Sequence, residues 1–365
     1  MAELRIAYFI TSHGFGHASR ACAVMQSLQK SIPDIHFYLY TTIPDWFVKE
    51  SGIVHYNLQS IETDIGLLQT SPFDIDFPST LIKLSEFQIT YGSTVDQLCS
   101  DMLKKKIDFI ICDVAAMGIS VADCACIPSF LIENFTWDWI YDCYKDEYPE
   151  FDKYARRIKQ TLTKANHRYL TEPFCQYPRS LRGIAKPISR STRQSAKLTR
   201  EQLNIPESHK IILLSMGGIP DQIQINASSM NKPNITYIVP GIGETIQHIE
   251  NTIFLPHHSN FYHPDLVHCA DAIIAKVGYS TIAEAYAANI PMGYIPRYDF
   301  PESKFLSSYI EDKLNGVEIK LKEFLSGRWV EKIDVLLSSP LDNTPHSNGA
   351  DQIRDWIFQE MKINP

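Results

Sequence analysis

The apolar positions fall in short unbroken runs rather than in strict alternation. Leu4–Thr11 is apolar and aromatic throughout and reads as a strand buried on both faces. It breaks at Ser12–Gly16, a loop containing Gly14 and Gly16. Ala18–Lys30 then places Ala21, Val24, Met25 and Leu28 on one helical face. His36–Tyr40, Phe109–Val114 and Ser129–Ile132 are further strands, and a small-residue helix over Ala115–Cys126 follows the second of them. Tyr141–Arg200 is helical at first and then loop-like, punctuated by Pro173, Pro178, Gly183 and Pro187. The strand–helix rhythm then restarts. Lys210–Ser215, Ile235–Val239, Asn251–Leu255, Ala272–Ala275 and Met292–Ile295 are strands, Ile282–Ala288 is helical, and a last helix covers Ala350–Met361.

Strands alternating with helices predict parallel sheets with crossover connections. A length of 365 residues fits two domains. The pattern places an N-terminal α/β domain over 1–175, a linker over 176–205, a second α/β domain over 206–345 and a C-terminal helix in 346–365. The two halves are not alike, and no internal repeat is present. Hydrophobic residues at 44% and charged residues at 21% are ordinary for a globular chain, which excludes a disordered, coiled-coil or collagen-like protein. No window holds 18 consecutive apolar residues, so no transmembrane helix is expected. The first apolar run is too short for a signal-peptide core, and a cytoplasmic protein is expected. The eight cysteines form no C-x-x-C pair; Cys124 and Cys126 lack zinc spacing, and all are expected to be buried thiols.

Net charge is −8, but its distribution is uneven. Between Lys153 and Arg200 there are thirteen Lys or Arg and one acid, Glu172, a block of +12 in a remainder of −20. Such a block marks either an anion contact (phosphate, nucleic acid or lipid headgroup) or a solvated helix face. The aromatics within it are too sparse for a base-stacking pattern.

Five stretches carry candidate chemistry. The loop after the first strand holds His13 and His17 around Gly14 and Gly16. It is not a dinucleotide fingerprint, because Ser19 stands where the third glycine would be. His17, at the start of the helix, suits a general base; otherwise it hydrogen-bonds the loop. Asp113 ends its strand on the same sheet edge, where it either orients His17 or caps the next helix. Gly278–Glu284 is a glycine-hydroxyl turn opening a helix. Gly278, Tyr279, Ser280 and Thr281 suit phosphate binding and Glu284 the hydroxyls of a ribose, whereas Thr281 and Glu284 also have capping-box spacing. Ser215, Gly217 and Gly218 form the corresponding loop of the second half. Pro256–His263 carries His257, His258 and His263. It lacks a matching acid or thiol and reads as a loop beside the nucleotide, with Phe254 and Leu255 leading into it. No metal and no cofactor is expected. Trp137 and Asp138, within Asn134–Tyr141, either stack on an acceptor or close the domain as a buried aromatic helix.

Together these pieces resemble the GT-B glycosyltransferases, α/β proteins of two Rossmann-like domains whose parallel sheets face each other across a cleft. The stretch from Ala270-Asp-Ala-Ile-Ile-Ala-Lys through Gly278-Tyr-Ser-Thr-Ile-Ala-Glu-Ala to Ile290-Pro-Met-Gly-Tyr-Ile-Pro is similar to the donor domain of the peptidoglycan N-acetylglucosaminyltransferase type. The glycine-hydroxyl turn there holds a diphosphate and the glutamate a ribose. Gly16-His17 matches the catalytic histidine of plant-type sugar transferases, and Asp113 their supporting aspartate. A closer resemblance is to the glycosyltransferase-like N-terminal region of plant arabinokinases, through Gly14-Phe-Gly-His-Ala-Ser-Arg20, Asn134–Tyr141, Lys276–Ala285, Arg297 and Glu302. The sugar-contacting Gln-x-x-Asn-Ala segment of the peptidoglycan enzyme is replaced by Phe300–Leu306.

The resemblance implies transfer of a sugar from a nucleotide-sugar donor, UDP-linked, to an acceptor hydroxyl, with inversion and without a metal. His17 and Asp113 would be catalytic. Gly14, Gly16, Ser215, Gly217, Gly218, Phe254, Leu255, His257, Gly278–Thr281, Glu284 and Glu302 would face the donor, and His13, Trp137 and Asp138 the acceptor. It also implies that the last helix packs back towards the N-terminal domain. The alternatives are a nucleotide-sugar-binding or regulatory module without transfer, a nucleic-acid-modifying transferase using 153–200, and an epimerase.

Overall fold

The computed structural model describes residues 3–71, 73–216, 230–338 and 346–364. The chain divides into two compact units, one comprising Met1–Ile188 with Asn348–Pro365, the other Ser189–Ser347.

The first unit is built on β1 (Arg5–Ile10), β2 (His36–Tyr40), β3 (Tyr56–Gln59), β4 (Phe109–Asp113), β5 (Ser129–Glu133), β6 (His167–Thr171) and β7 (Gly183–Ala185). All pair in parallel, in the order β3-β2-β1-β4-β5-β6-β7. The central strands are buried on both faces, which is why they read as continuous apolar runs. The order reverses between β1 and β4. Their following loops part there and leave a crevice at the carboxyl ends of the strands. Ile10 pairs with Asp113 in the register, so the loop after β1 and the end of β4 meet at that crevice.

The second unit carries β8 (Lys210–Ser215), β9 (Ile235–Pro240), β10 (Gln247–Ile249), β11 (Thr252–Leu255), β12 (Ala272–Lys276), β13 (Met292–Ile295) and β14 (Val317–Glu318). Their order is β10-β11-β9-β8-β12-β13-β14, parallel except for β10 against β11. The reversal falls between β8 and β12. Ser215 pairs with Ala275, which brings the ends of those strands to a second switch point.

Several expectations change. The stretch 176–205 is not one linker. Gly183–Ala185 is the edge strand of the first sheet, and Ala196–Gln202 is a helix of the second unit, capped by Ser195. A three-residue strand is too short to leave a periodic signal. The helix Phe77–Lys105, 29 residues long, was not predicted from the pattern; few of its residues are buried, so its apolar stripe is thin. The last helix, Gly349–Met361, lies in the first unit, where Trp356 stacks on Tyr169 and Ser27 donates to Asp351.

Cys124, Cys126 and Cys143 are exposed rather than buried, the first two at the C-terminal end of the helix Ala116–Ala125. The basic block is extensively paired within its units. Arg156 meets Asp152, Lys164 meets Asp123, Arg168 meets Glu133, Lys186 meets Glu172, and Arg200 meets Asp271. Among the described residues no helix is long and apolar enough to cross a membrane.

Candidate active site

At the first switch point, Gly14 adopts a left-handed backbone (φ 75°) and turns the chain from β1 into the helix Phe15–Ser31. His17 and Arg20 are three residues apart on that helix and face the same way. His17 is 6% exposed, with Nδ1 2.8 Å from Asp113 Oδ1. Arg20 grips the same carboxylate with Nε 2.7 Å from Oδ2 and Nη2 2.6 Å from Oδ1, and its Nη1 donates to Asn134. Arg20 Nη2 also lies 3.2 Å from His17 Nδ1. A guanidinium only donates and a carboxylate only accepts, so Nδ1 cannot serve both. The shorter contact assigns the proton to Nδ1, donated to Asp113. His17 Nε2 makes no hydrogen bond among the described residues and carries the lone pair.

Burial lowers the His17 pKa below the usual imidazole value, and Arg20 adds to this against the pull of Asp113. Burial alone would raise the Asp113 carboxyl, but Arg20 and then His17 outweigh it and hold it below the ordinary range. The resting set is therefore a charged carboxylate, a charged guanidinium and a neutral imidazole. Val114, directly after Asp113, has φ 62°. A β-branched residue there costs on the order of 1–3 kcal/mol, the kind of strain found at functional sites.

His13 lies edge-on to Trp137, ring centroids 5.0 Å apart, and takes a hydrogen bond from Gln69 at 3.0 Å. Gly66 makes this possible, since a Cβ there would come within 2.9 Å of both His13 and Trp137. Trp137 is buried and donates to Thr11 Oγ1, whose own hydroxyl donates to Asp64. Asp138 is buried, and burial raises its carboxyl.

At the second switch point, Gly278 caps the helix Tyr279–Ala288 without any side-chain hydrogen bond. Thr281 therefore lies inside the helix, and the capping-box alternative does not hold. The first-turn N–H groups and the helix dipole face the sheet edge. Lys276 ends β12 beside them. Burial lowers its amine to about 8, Arg297 contributes, and it joins no ion pair among the described residues.

Glu284, one helical turn further on, is buried between Arg190 Nη2 at 3.2 Å and His263 Nδ1 at 2.6 Å. His263 Nε2 is in turn 2.9 Å from Ser215 Oγ. Burial would raise the Glu284 carboxyl, but His263 and Arg190 bring it below its ordinary value. Glu302 carries a buried Oε2 with no partner among the described residues, and burial raises its carboxyl against the pull of Arg297.

Phe254 and Leu255 are buried in β11, and the Leu255 carbonyl accepts from Gly241 and Ile242. His257 is exposed and packs beside Gly241. Gly217 and Gly218 lie outside the described residues. No group of three or more His, Cys, Asp or Glu among the described residues is arranged to hold a metal.

The structure thus brings His17 and Asp113 together, and likewise Ser215 and Glu284. The linking residues Arg20, Asn134, Arg190 and His263 escaped the sequence reading as partners. Arg20 left a signal in its three-residue spacing from His17. Arg190 left none, being 94 residues from Glu284.

A model of glycosyl transferase family 1 matches residues 4–333. The L-arabinokinase of Arabidopsis thaliana is 28% identical over 369 residues, covering 99% of this chain and 35% of that protein, so the chain spans about a third of the relative's length. MurG from Acinetobacter baumannii superposes with a TM-score of 0.58 at 14% identity, covering 98% of this chain and 99% of the other. Medicago truncatula UGT71G1, solved with UDP-glucose, superposes at 0.60 with 10% identity, covering 98% of each chain. The shared architecture is the GT-B fold.

Proposed function

Because the chain belongs to glycosyl transferase family 1, we propose that it moves a sugar from a UDP-linked donor to an acceptor hydroxyl, with inversion and without a metal ion. The observation that carries this reading is the His17–Asp113 hydrogen bond, which leaves Nε2 as the available base. The acceptor proton goes to His17 Nε2 while the acceptor oxygen bonds to the anomeric carbon. The bond from that carbon to the diphosphate oxygen breaks, and its electron pair leaves with UDP. Asp113 steadies the imidazolium that forms.

The leaving diphosphate is held by the N–H groups at Gly278–Thr281, the Ser280 and Thr281 hydroxyls, and Lys276. Glu284 keeps unused lone pairs for ribose hydroxyls, and Glu302 Oε2 accepts from the sugar. Phe254, Leu255, His257 and Ser215 border the nucleotide, with Gly14 at the turn after β1 and Gly16 in the first turn of the helix leaving the backbone there without side chains towards the donor. His13, Trp137 and Asp138 serve the acceptor side.

A second reading, sugar-nucleotide binding without transfer, is favoured by one observation: Arg20 neutralises Asp113 and so weakens the base. The test is a thermal-shift panel of UDP-, GDP-, ADP- and dTDP-sugars with and without EDTA, followed by assay of UDP release and product anomer. A metal-independent shift with UDP-sugars and an inverted product support transfer. A shift without turnover for any acceptor would favour the binding module.

A further inference from the structure

Three of the cysteines gather away from the site described above. Cys99 lies on the helix Phe77–Lys105, and Cys124 and Cys126 lie at the C-terminal end of the helix Ala116–Ala125, which packs against it. We propose that Cys99 and Cys124 form an oxidative modification site, at which a peroxide is reduced and the two thiols close into a disulfide. The proposal is independent of the sugar-transfer reading.

Geometry selects this pair. Cys99 is buried in an apolar cluster with Ala116, Ile119, Ala122 and Ala125 of the facing helix, whose small side chains let the two helices approach. The Cys99 thiol hydrogen-bonds Cys124, which is exposed. One sulfur therefore faces solvent and its partner faces the core. A disulfide forms only where two Cβ atoms come close, and thiols that hydrogen-bond across packed helices meet most of that condition. Cys126 is the poorer partner: it sits two residues from Cys124 at a left-handed C-cap (φ 54°), with its thiol 3.9 Å from the Asp123 carbonyl oxygen. Among the described residues the three sulfurs are not grouped to hold a metal. The hydrogen bond to Cys124, and then burial, raise the Cys99 thiol to about 11, so Cys99 keeps its proton while Cys124 meets the oxidant. Cys124, as thiolate, attacks one oxygen of hydrogen peroxide. An S–O bond forms, the O–O bond breaks, and the leaving hydroxide takes up a proton as water. Cys124 is then a sulfenic acid. The Cys99 sulfur attacks the Cys124 sulfur, the S–S bond forms and the S–O bond breaks, and the hydroxyl leaves as a second water with the Cys99 proton. The two thiols lose two electrons and the peroxide gains them.

The test treats the reduced full chain with equimolar hydrogen peroxide, alkylates the remaining thiols in denaturant and maps them by mass spectrometry of a non-reducing digest. The Cys99 and Cys124 thiols should be lost together, one for one, as a linked peptide pair that dithiothreitol reopens, before the exposed Cys143 is modified. In Cys99→Ser, Cys124 should stop at the sulfenic acid and be captured by dimedone. In Cys124→Ser, Cys99 should stay reduced; Cys124 is exposed, so this variant should keep the melting temperature of the reduced wild type. Cys126→Ser should leave the linkage unchanged. A fully alkylated Cys99 in the peroxide-treated wild type, or a Cys124–Cys126 linkage in its place, overturns the proposal. Loss of the Cys99–Cys124 linkage in Cys126→Ser overturns it as well.

Discussion

Each unit carries an arginine, a carboxylate and a histidine joined in a row at its switch point. In the first the row is Arg20–Asp113–His17, and in the second Arg190–Glu284–His263. Both carboxylates are buried, and both are held low in pKa by their partners. The difference lies at the far nitrogen of the imidazole. His17 Nε2 has no partner among the described residues, whereas His263 Nε2 is tied to Ser215. The same three groups therefore give a row that ends in a lone pair and one that ends in a serine hydroxyl. Chemistry is set by what lies beyond the histidine, not by the triad of residue types.

The largest effect should come from removing the open end. His17→Ala should lower transfer by roughly 10²–10⁴-fold with little change in donor affinity, read from UDP release and calorimetry. The matching change in the second unit, His263→Ala, should instead weaken UDP-sugar binding and thermal stability. Comparable loss of turnover at saturating donor in both variants would erase the distinction.

Next is the arginine of the first row. Arg20→Met leaves a buried carboxylate without its main counter-charge, and should cost about 3–5 kcal/mol in denaturant unfolding. It should also raise the His17 pKa, because a repelling cation is gone.

That pKa gives a sharper measurement. A base at His17 would have to be neutral, and burial holds its pKa below the ordinary 6.5. The rate should rise with pH along an acid limb centred below 6.5 and be flat above it, with Arg20→Met moving the limb upward. Stability should follow the same sign. An imidazole whose folded pKa is depressed binds fewer protons than in the unfolded chain, so stability falls as pH drops from 6.5 through the folded value. Asp113, also depressed, adds a further loss as pH falls through its own folded value, below 3.8.

The smallest effect should be Ser215→Ala, which removes one partly buried hydrogen bond and should cost about 0.5–1.5 kcal/mol by thermal unfolding, with no change in the acid limb.

Much of this was legible in the sequence for a definite reason. A strand buried on both faces must be apolar along its length, so the central strands stand out. The residues at or just past their ends, His17 and Asp113 in the first sheet and Gly278 in the second, are then placed at the carboxyl edge of their own sheet by the parallel topology. What was not legible has equally physical causes. Arg190 reaches Glu284 only through tertiary folding. The helix Phe77–Lys105 buries too narrow a stripe to show its period. Asp64 sits in a loop with no pattern, and only its unpartnered oxygen and raised pKa mark it. The basic block looked like an anion site because sequence shows charges without their partners, and many of those partners lie in distant acids.

The most direct measurement is UDP release from UDP-glucose by the wild type and His17→Ala at matched donor occupancy, with acceptor present. The account predicts that the variant binds donor as the wild type does and turns it over at least about a hundredfold more slowly. Equal turnover by the two proteins would contradict the assignment of the free Nε2 as the base.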